Sequence, residues 1–250
     1  MGSMSWISRR GAPLIAFVFN AALSVLPVHA DAHKVSVVSF GLFGDQGVFR
    51  SEATGAAQVV AGRFGNGPIS VQYNSKRGGD ATVEALAGSL QEAASGMDVE
   101  NDVLFLILTS HGSRDGLAVK AGRLSETLTP SNLAHMLART GVRHKVVVIS
   151  ACYSGVFVPR LANPDMLVIT AADADHPSFG CRDTAKWTYF GDAFFNVALR
   201  QAKSLKEAFA VARTRIMNRE RREHIEPSNP QMAGGANVAR LLQPSLLARP

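Results

Sequence analysis

Two reactive side chains in this sequence stand directly after uninterrupted apolar runs. Val103-Leu104-Phe105-Leu106-Ile107-Leu108-Thr109-Ser110 leads into His111-Gly112-Ser113, and Val146-Val147-Val148-Ile149-Ser150-Ala151 leads into Cys152-Tyr153-Ser154-Gly155. A thiol is a useful nucleophile near neutral pH only when its thiolate is favoured, and a nearby imidazole can accept its proton or stabilise the anion. Attack on a carbonyl puts negative charge on oxygen, which backbone N–H groups must meet, and the amides of Gly112 and Cys152 are candidates. Gly112 has no side chain to block approach, and Gly155 allows a sharp turn beside substrate. Taken singly, a cysteine after a buried strand is usually a small core residue, and a His-Gly pair is usually a turn. Together, at matching strand ends, they point to acyl transfer with Cys152 as nucleophile and His111 as base.

Positioning such a pair requires neighbouring strands. Val35 to Phe40, Ile69 to Tyr73, Val103 to Thr109, Lys145 to Ser150 and Met166 to Ala171 read as strands, mostly β-branched and continuously apolar. Strands buried on both faces of a parallel sheet have this composition, because helices cover each face and leave no polar alternation. Helical spacing occupies Glu52 to Phe64, Asp80 to Gly96, Ser131 to Thr140, Gly191 to Ala202 and Leu205 to Arg222. The β-α-β-α order predicts an α/β layered domain, whose active site belongs beyond the carboxyl ends of its strands. Thr129-Pro130 and Gly79-Asp80 read as helix starts, where a side-chain oxygen satisfies orphan backbone donors.

At the N-terminus, Arg9 and Arg10 precede a mostly apolar stretch from Leu14 to Val28 that ends in small residues. This is the pattern of an export signal. A membrane span needs about 20 apolar residues, and this run is shorter and carries Asn20 and Pro27. The other reading is an uncleaved anchor or a buried helix. Cleavage after Ala30 or Ala32 would leave a mature chain starting near Asp31, exported to the periplasm or medium, with no stable membrane span. The expected division is a signal peptide over 1–30, a catalytic domain over 31–225 and an irregular, peripheral tail over 226–250. The tail expectation rests on Pro227, Pro230, Pro244, Pro250 and Gly234-Gly235.

The formal charge of +6 loses two arginines and no acid with residues 1–30, leaving +4, a mildly basic balance. The arginines gather in one late helix, at positions 213, 215, 219, 221 and 222, which a solvated face explains. No aromatic ladder or nucleic-acid motif accompanies them, so nucleic acid is not an expected partner. Twenty-eight residues separate Cys152 from Cys181, which rules out a Cys-x-x-Cys redox pair. Two thiols are too few for structural zinc, and no His-Glu-x-x-His occurs, so no zinc site is expected. His135 and His144 lack partners at metal-ligand spacing and His176 reads as an exposed loop residue. Glu126 and Asp115 are candidates to orient His111.

Thr109-Ser110-His111-Gly112-Ser113 and Ser150-Ala151-Cys152-Tyr153-Ser154-Gly155 resemble the His-Gly and Ala-Cys signatures of clan CD cysteine peptidases, specifically the legumain-like C13 family in its bacterial form. Thr170-Ala171-Ala172, Ser178-Phe179-Gly180-Cys181 and Thr188-Tyr189-Phe190-Gly191-Asp192 are similar to the segment that shapes the legumain specificity pocket. The resemblance covers nearly all of the mature chain. It implies a three-layer caspase-hemoglobinase fold, with a mainly parallel sheet flanked by helices, and cofactor-free hydrolysis of protein or peptide substrates. It also implies that His111 and Cys152 form the dyad, with the Gly112 amide an oxyanion donor. Asp192 would lie at the pocket base and Ser178 in its wall, with Arg50 as the pocket arginine. Asp192 also reads as a helix N-terminal acid, and Arg50 as a surface arginine.

Legumains carry an acid two positions before the nucleophile, and here that position is Ser150. Two hydrolytic readings follow, an asparaginyl-type endopeptidase or an enzyme with another small or polar P1 choice. A catalytically silent peptide-binding domain is the third. Cys181 matches a legumain cysteine and reads as a buried thiol by the pocket; a Cys152–Cys181 disulfide would block the nucleophile.

Overall fold

The structure, a computed structural model, describes residues 1–2 and 33–242; the expected export signal and both cleavage sites lie outside the described residues. Met1–Ala32 and His33–Pro250 are separate units, and among the described residues every helix and strand belongs to the second. Among the described residues no helix is long and apolar enough to cross a membrane. In chain order the elements are β1 (Val35–Gly41), α1 (Gly47–Phe64), β2 (Ile69–Ser75), β3 (Gly78–Gly79), α2 (Val83–Ser95), β4 (Val103–Thr109), β5 (Gly112–Ser113), β6 (Gly116–Ala121) and β7 (Leu124–Leu128). Next come α3 (Pro130–Arg139), β8 (His144–Ser150), a 3-10 turn (Ser154–Phe157) running into α4 (Val158–Leu161), and β9 (Met166–Thr170). The chain continues through α5 (Tyr189–Gly191), a π-helical stretch (Asp192–Ala198), α6 (Leu199–Gln201), α7 (Leu205–Glu223), β10 (Gln231–Gly234) and α8 (Ala236–Leu241).

Seven strands form one sheet in the order β10-β9-β8-β4-β1-β2-β3. β1, β2, β4, β8 and β9 are parallel, and the edge strands β3 and β10 run antiparallel. Every residue of β1, β4, β8 and β9 is buried. Alternate side chains feed two separate cores, as the two-residue period of a strand requires. Val37, Phe105, Ile107, Val148 and Ile169 point to one face, packed under α1, α7, α8 and the Phe190-Phe194-Phe195 group. Val38, Leu104, Leu106, Val147 and Val168 point to the other, under α2, α3, α4 and the β6–β7 hairpin. Each fully buried Leu or Phe contributes about 1.5–3 kcal/mol, so a sheet covered on both sides is the stable arrangement of these runs. The result is the three-layer α/β fold that the apolar runs predict.

Several boundaries differ from the expected ones. α1 starts at Gly47 rather than Glu52, and α2 is capped by Thr82, whose side chain accepts from Ala85 N at 3.1 Å, rather than by Asp80. Thr129 caps α3 as expected, accepting from Asn132 N at 3.2 Å. Directly after His111 the chain forms a small antiparallel sheet, β5-β6-β7. Its strands are short and half exposed, so they lack the apolar signal of the central sheet.

The tail expected to be irregular from residue 226 contains β10 and α8. β10 pairs antiparallel with β9, Gln231 opposite Thr170 and Gly234 opposite Leu167. Ser228 donates its N–H to the buried Glu220 at 3.0 Å and accepts at its carbonyl from Asp173 N at 3.0 Å. The Pro and Gly residues mark turns at both ends of this strand. The unpaired main-chain groups of β9 supply the partner that a sequence window cannot show.

Candidate active site

The register of β4 against β8 is what builds the site. The two strands are parallel neighbours with Thr109 opposite Ser150, so His111 and Cys152 each emerge two residues beyond a paired position. Ser110 N donates to Ser150 O at 3.2 Å. A Cβ added at Gly112 would overlap the Cys152 carbonyl oxygen, so the two loops meet main chain to main chain. Any larger residue at position 112 would push them apart.

His111 is half-buried between aromatic edges, with the Phe43 and Phe49 ring centroids 4.7 and 5.0 Å away. Its Nε2 is hydrogen-bonded to the side-chain oxygen of Gln46, the residue just before α1. With the amide oxygen as acceptor, the proton sits on Nε2 and the basic lone pair on Nδ1. Burial holds the His111 pKa below its ordinary value. Gln46 takes the orienting role considered for Glu126 and Asp115. Glu126 instead accepts from Val83 N at 3.3 Å at the start of α2, and Asp115 is exposed. Spacing along the chain holds no sign of Gln46, which is 65 residues from His111 and reaches it only because β1 adjoins β4.

The Cys152 thiol donates to Ser178 O at 3.2 Å, and Ser178 N donates to the sulfur at 3.3 Å. Burial pushes its pKa up, partly offset by the hydrogen bond to Ser178. In both groups burial disfavours the charged form. Both shifts favour the neutral thiol and neutral imidazole over a thiolate–imidazolium ion pair. Tyr153, next in the chain, adopts left-handed backbone at φ 53°, a conformation that costs a non-glycine residue about 1–2 kcal/mol. Its N–H donates to His176 O at 2.9 Å, and Gly155 packs so tightly on Asp173 and Ala174 that no Cβ fits there. These contacts fix the turn that aims Cys152.

A narrow cleft with an accessible volume of only about 10 Å³ lies beside the thiol, lined by Phe49, Ser110, Ser150, Ala151, Cys152, Ser178, Phe179, Cys181 and Thr188. Ser150 and Ser178 thus lie where pocket residues were expected. The Ser150 hydroxyl is 3.1 Å from the Thr188 hydroxyl. Asp192 and Arg50 do not line this cleft. Asp192, in the π-helical stretch, accepts from Asn196 Nδ2 at 2.8 Å and borders a separate hollow with Arg215, Arg219 and Arg222. Arg50 is exposed on α1 with its guanidinium 4.6 Å from the Tyr73 ring centroid. From the same helix, Phe49 reaches the cleft instead.

Cys181 is a free, half-buried thiol in the cleft wall, its pKa raised by burial and then by Cys152. His176 is half-buried rather than exposed: Nδ1 sits 2.8 Å from both carboxylate oxygens of Asp173, a hydrogen bond that raises its pKa. His135 is exposed, and His144 is buried 3.5 Å from Asp165.

The peptidase C13 family model matches residues 69–236. No curated protein matches the sequence. Caspase-1 from Spodoptera frugiperda superposes with a TM-score of 0.57 at 15% identity, over 81% of this chain and 86% of that chain. The structure of pro-sf-caspase-1 does so with a TM-score of 0.54, also at 15% identity, over 81% of this chain and 91% of that chain. At this identity the likeness establishes the caspase-type sheet and helix arrangement. The family match extends over β4 and β8, the loops that carry His111 and Cys152, and most of the cleft wall. This chain belongs to the peptidase C13 family.

Proposed function

We propose that this protein is an exported cysteine endopeptidase in which Cys152 is the nucleophile and His111 the base. What supports the reading is the in-register release of His111 and Cys152 from adjacent strands beside a small cleft. The thiol proton passes to Nδ1 of His111 as the sulfur attacks the peptide carbonyl carbon. The oxyanion is met by the Gly112 and Cys152 amides. Collapse breaks the C–N bond, His111 returns the proton to the leaving amine, and water then hydrolyses the thioester by the reverse proton path. Ser150 and Ser178 border the P1 side chain. This chemistry asks for no metal or organic cofactor.

One observation favours a second reading, a catalytically silent peptide-binding domain. The thiol bonds to Ser178 and the imidazole to Gln46, rather than to each other. The deciding experiment is hydrolysis of a fluorogenic peptide library varied at P1, with Cys152→Ala alongside, on protein recovered from the exported fraction. The mass of that protein reports removal of residues before about Asp31. Cys152-dependent cleavage after asparagine establishes an asparaginyl enzyme, and Cys152-dependent cleavage elsewhere a different pocket. Saturable peptide binding without cleavage selects the silent domain.

The acid limb of activity follows from His111. The base must be neutral, and burial lowers its pKa, so protonation arrives only at a pH below the ordinary histidine value. The kcat/KM profile should therefore hold through about pH 6.5 and fall below it. An acid-limb midpoint above that value would exclude His111 as the titrating base.

A further inference from the structure

The cleft beside Cys152 is too narrow to supply much substrate affinity by itself. Its wall also serves a second surface. Phe179, Cys181 and Thr188 line the cleft, whereas Gly180 borders one of two larger hollows, of about 430 and 360 Å³, and Tyr189 borders both. The hollows share Tyr189, Asp192 and Arg219, so they form one concave surface between α7 and the 180–192 segment. Arg215, Arg219 and Arg222 follow one face of α7 at the i, i+4, i+7 spacing, and Arg182 and Lys186 stand across the gap. A helix C-terminus stabilises nearby cations through its dipole, which accounts for Arg222 but not for the two cations of the facing loop.

These five cations face two acids, Asp192 and Glu223, and both acids are already engaged. Asp192 accepts from Asn196, while Glu223 accepts from the Tyr189 hydroxyl at 2.6 Å and from Arg219 Nε at 2.9 Å. The Arg219 guanidinium also lies 3.4 Å from the Tyr189 ring centroid, so that side chain is held in place. Among the described residues, Arg182, Lys186, Arg215 and Arg222 form no ion pair. Four exposed cations around one hollow set up a positive field that favours an anionic partner. A single-stranded nucleic acid would also call for an open ring on which a base can stack. Tyr189 is buried beneath Arg219, and Trp187 packs on Gly55 and Phe195, so the chemistry that fits is a run of carboxylates. We propose that this surface binds acidic segments of polypeptide and captures substrates whose acidic stretch lies within reach of the cleft. Binding there asks nothing of Cys152; its use for substrate capture rests on the peptidase reading.

A fluorescein-labelled peptide carrying a run of glutamates, and its glutamine counterpart, are titrated against the Cys152→Ala protein by fluorescence anisotropy. The glutamate peptide should bind saturably and at least about tenfold tighter than the glutamine one, and raising salt from about 50 to about 300 mM should erase most of that difference. Arg215→Glu combined with Arg222→Glu should weaken the glutamate peptide at least about tenfold. Arg213→Glu combined with Arg221→Glu makes the same charge change on the same helix, at residues that border a different hollow, and should weaken it less than about threefold. In the enzyme that retains Cys152, the R215E and R222E pair should lower kcat/KM only for substrates with an acidic segment and leave a short neutral peptide unchanged. Equal affinity for the two peptides, equal effects of the two double variants, or tighter binding of a single-stranded oligonucleotide overturns the proposal. Binding as stated without any cleavage sinks the peptidase reading and leaves the acidic-segment site standing.

Discussion

Cys152→Ala should lower kcat/KM by about 10⁴-fold or more with the fold intact, because removing a nucleophile leaves only the oriented binding and oxyanion contributions. The side chain is half-buried, and an alanine there loses only the two contacts between sulfur and Ser178. Those bonds involve neutral groups, so the stability change should stay near 1 kcal/mol. His111→Ala in the same background should add almost nothing, since groups that act as a unit are not additive. The checks are peptide hydrolysis, loss of labelling by an electrophilic probe, and an unchanged unfolding midpoint. Turnover above about one hundredth of wild type in the folded variant would assign the chemistry to another residue.

Phe194→Ala should destabilise the protein by about 3–5 kcal/mol, the range for emptying a large core site. Phe194 is fully buried in the π-helical stretch. It stacks on Phe190 at 5.4 Å and meets Phe195 nearly edge-on at 5.1 Å. These rings cover the sheet face that includes Phe105 and Ile107, the strand that ends two residues before His111. The urea midpoint should therefore drop sharply, and activity in the surviving folded fraction should stay close to wild type. A loss below about 1 kcal/mol would mean that neighbouring side chains collapse into the space.

The central sheet was legible because β1, β4, β8 and β9 are buried on both faces and write that into uninterrupted apolar runs. The placement of His111 and Cys152 at adjacent strand ends followed, since strand ends in a parallel sheet gather on one rim. β5, β6 and β7 were not legible: they are short, and their pairing depends on main-chain partners that leave little compositional trace. Ser150 and Ser178 line the cleft, while Arg50 and Asp192 fall outside it for geometric reasons. Successive helix residues point about 100° apart, so on α1 Phe49 and Glu52 face inward while Arg50 faces Tyr73. Asp192 opens a π-helical stretch, whose wider turn shifts each following side chain from its α-helical direction. A motif can give the neighbourhood of such residues but not the face on which each one lands.

The pairing of β10 with β9 makes any chosen end point for a shortened protein consequential. A chain stopped at residue 225 would strip the partner from Leu167-Val168-Ile169-Thr170, an uncharged, β-branched segment, and leave its main chain open to another copy. It would also remove Ser228, which satisfies the buried Glu220. Such a protein should self-associate, with light scattering that grows with concentration, whereas one ending after Leu242 should stay dispersed. The short strand thus guards solubility along one edge of the sheet, a duty separate from any chemistry beyond the carboxyl ends of β4 and β8.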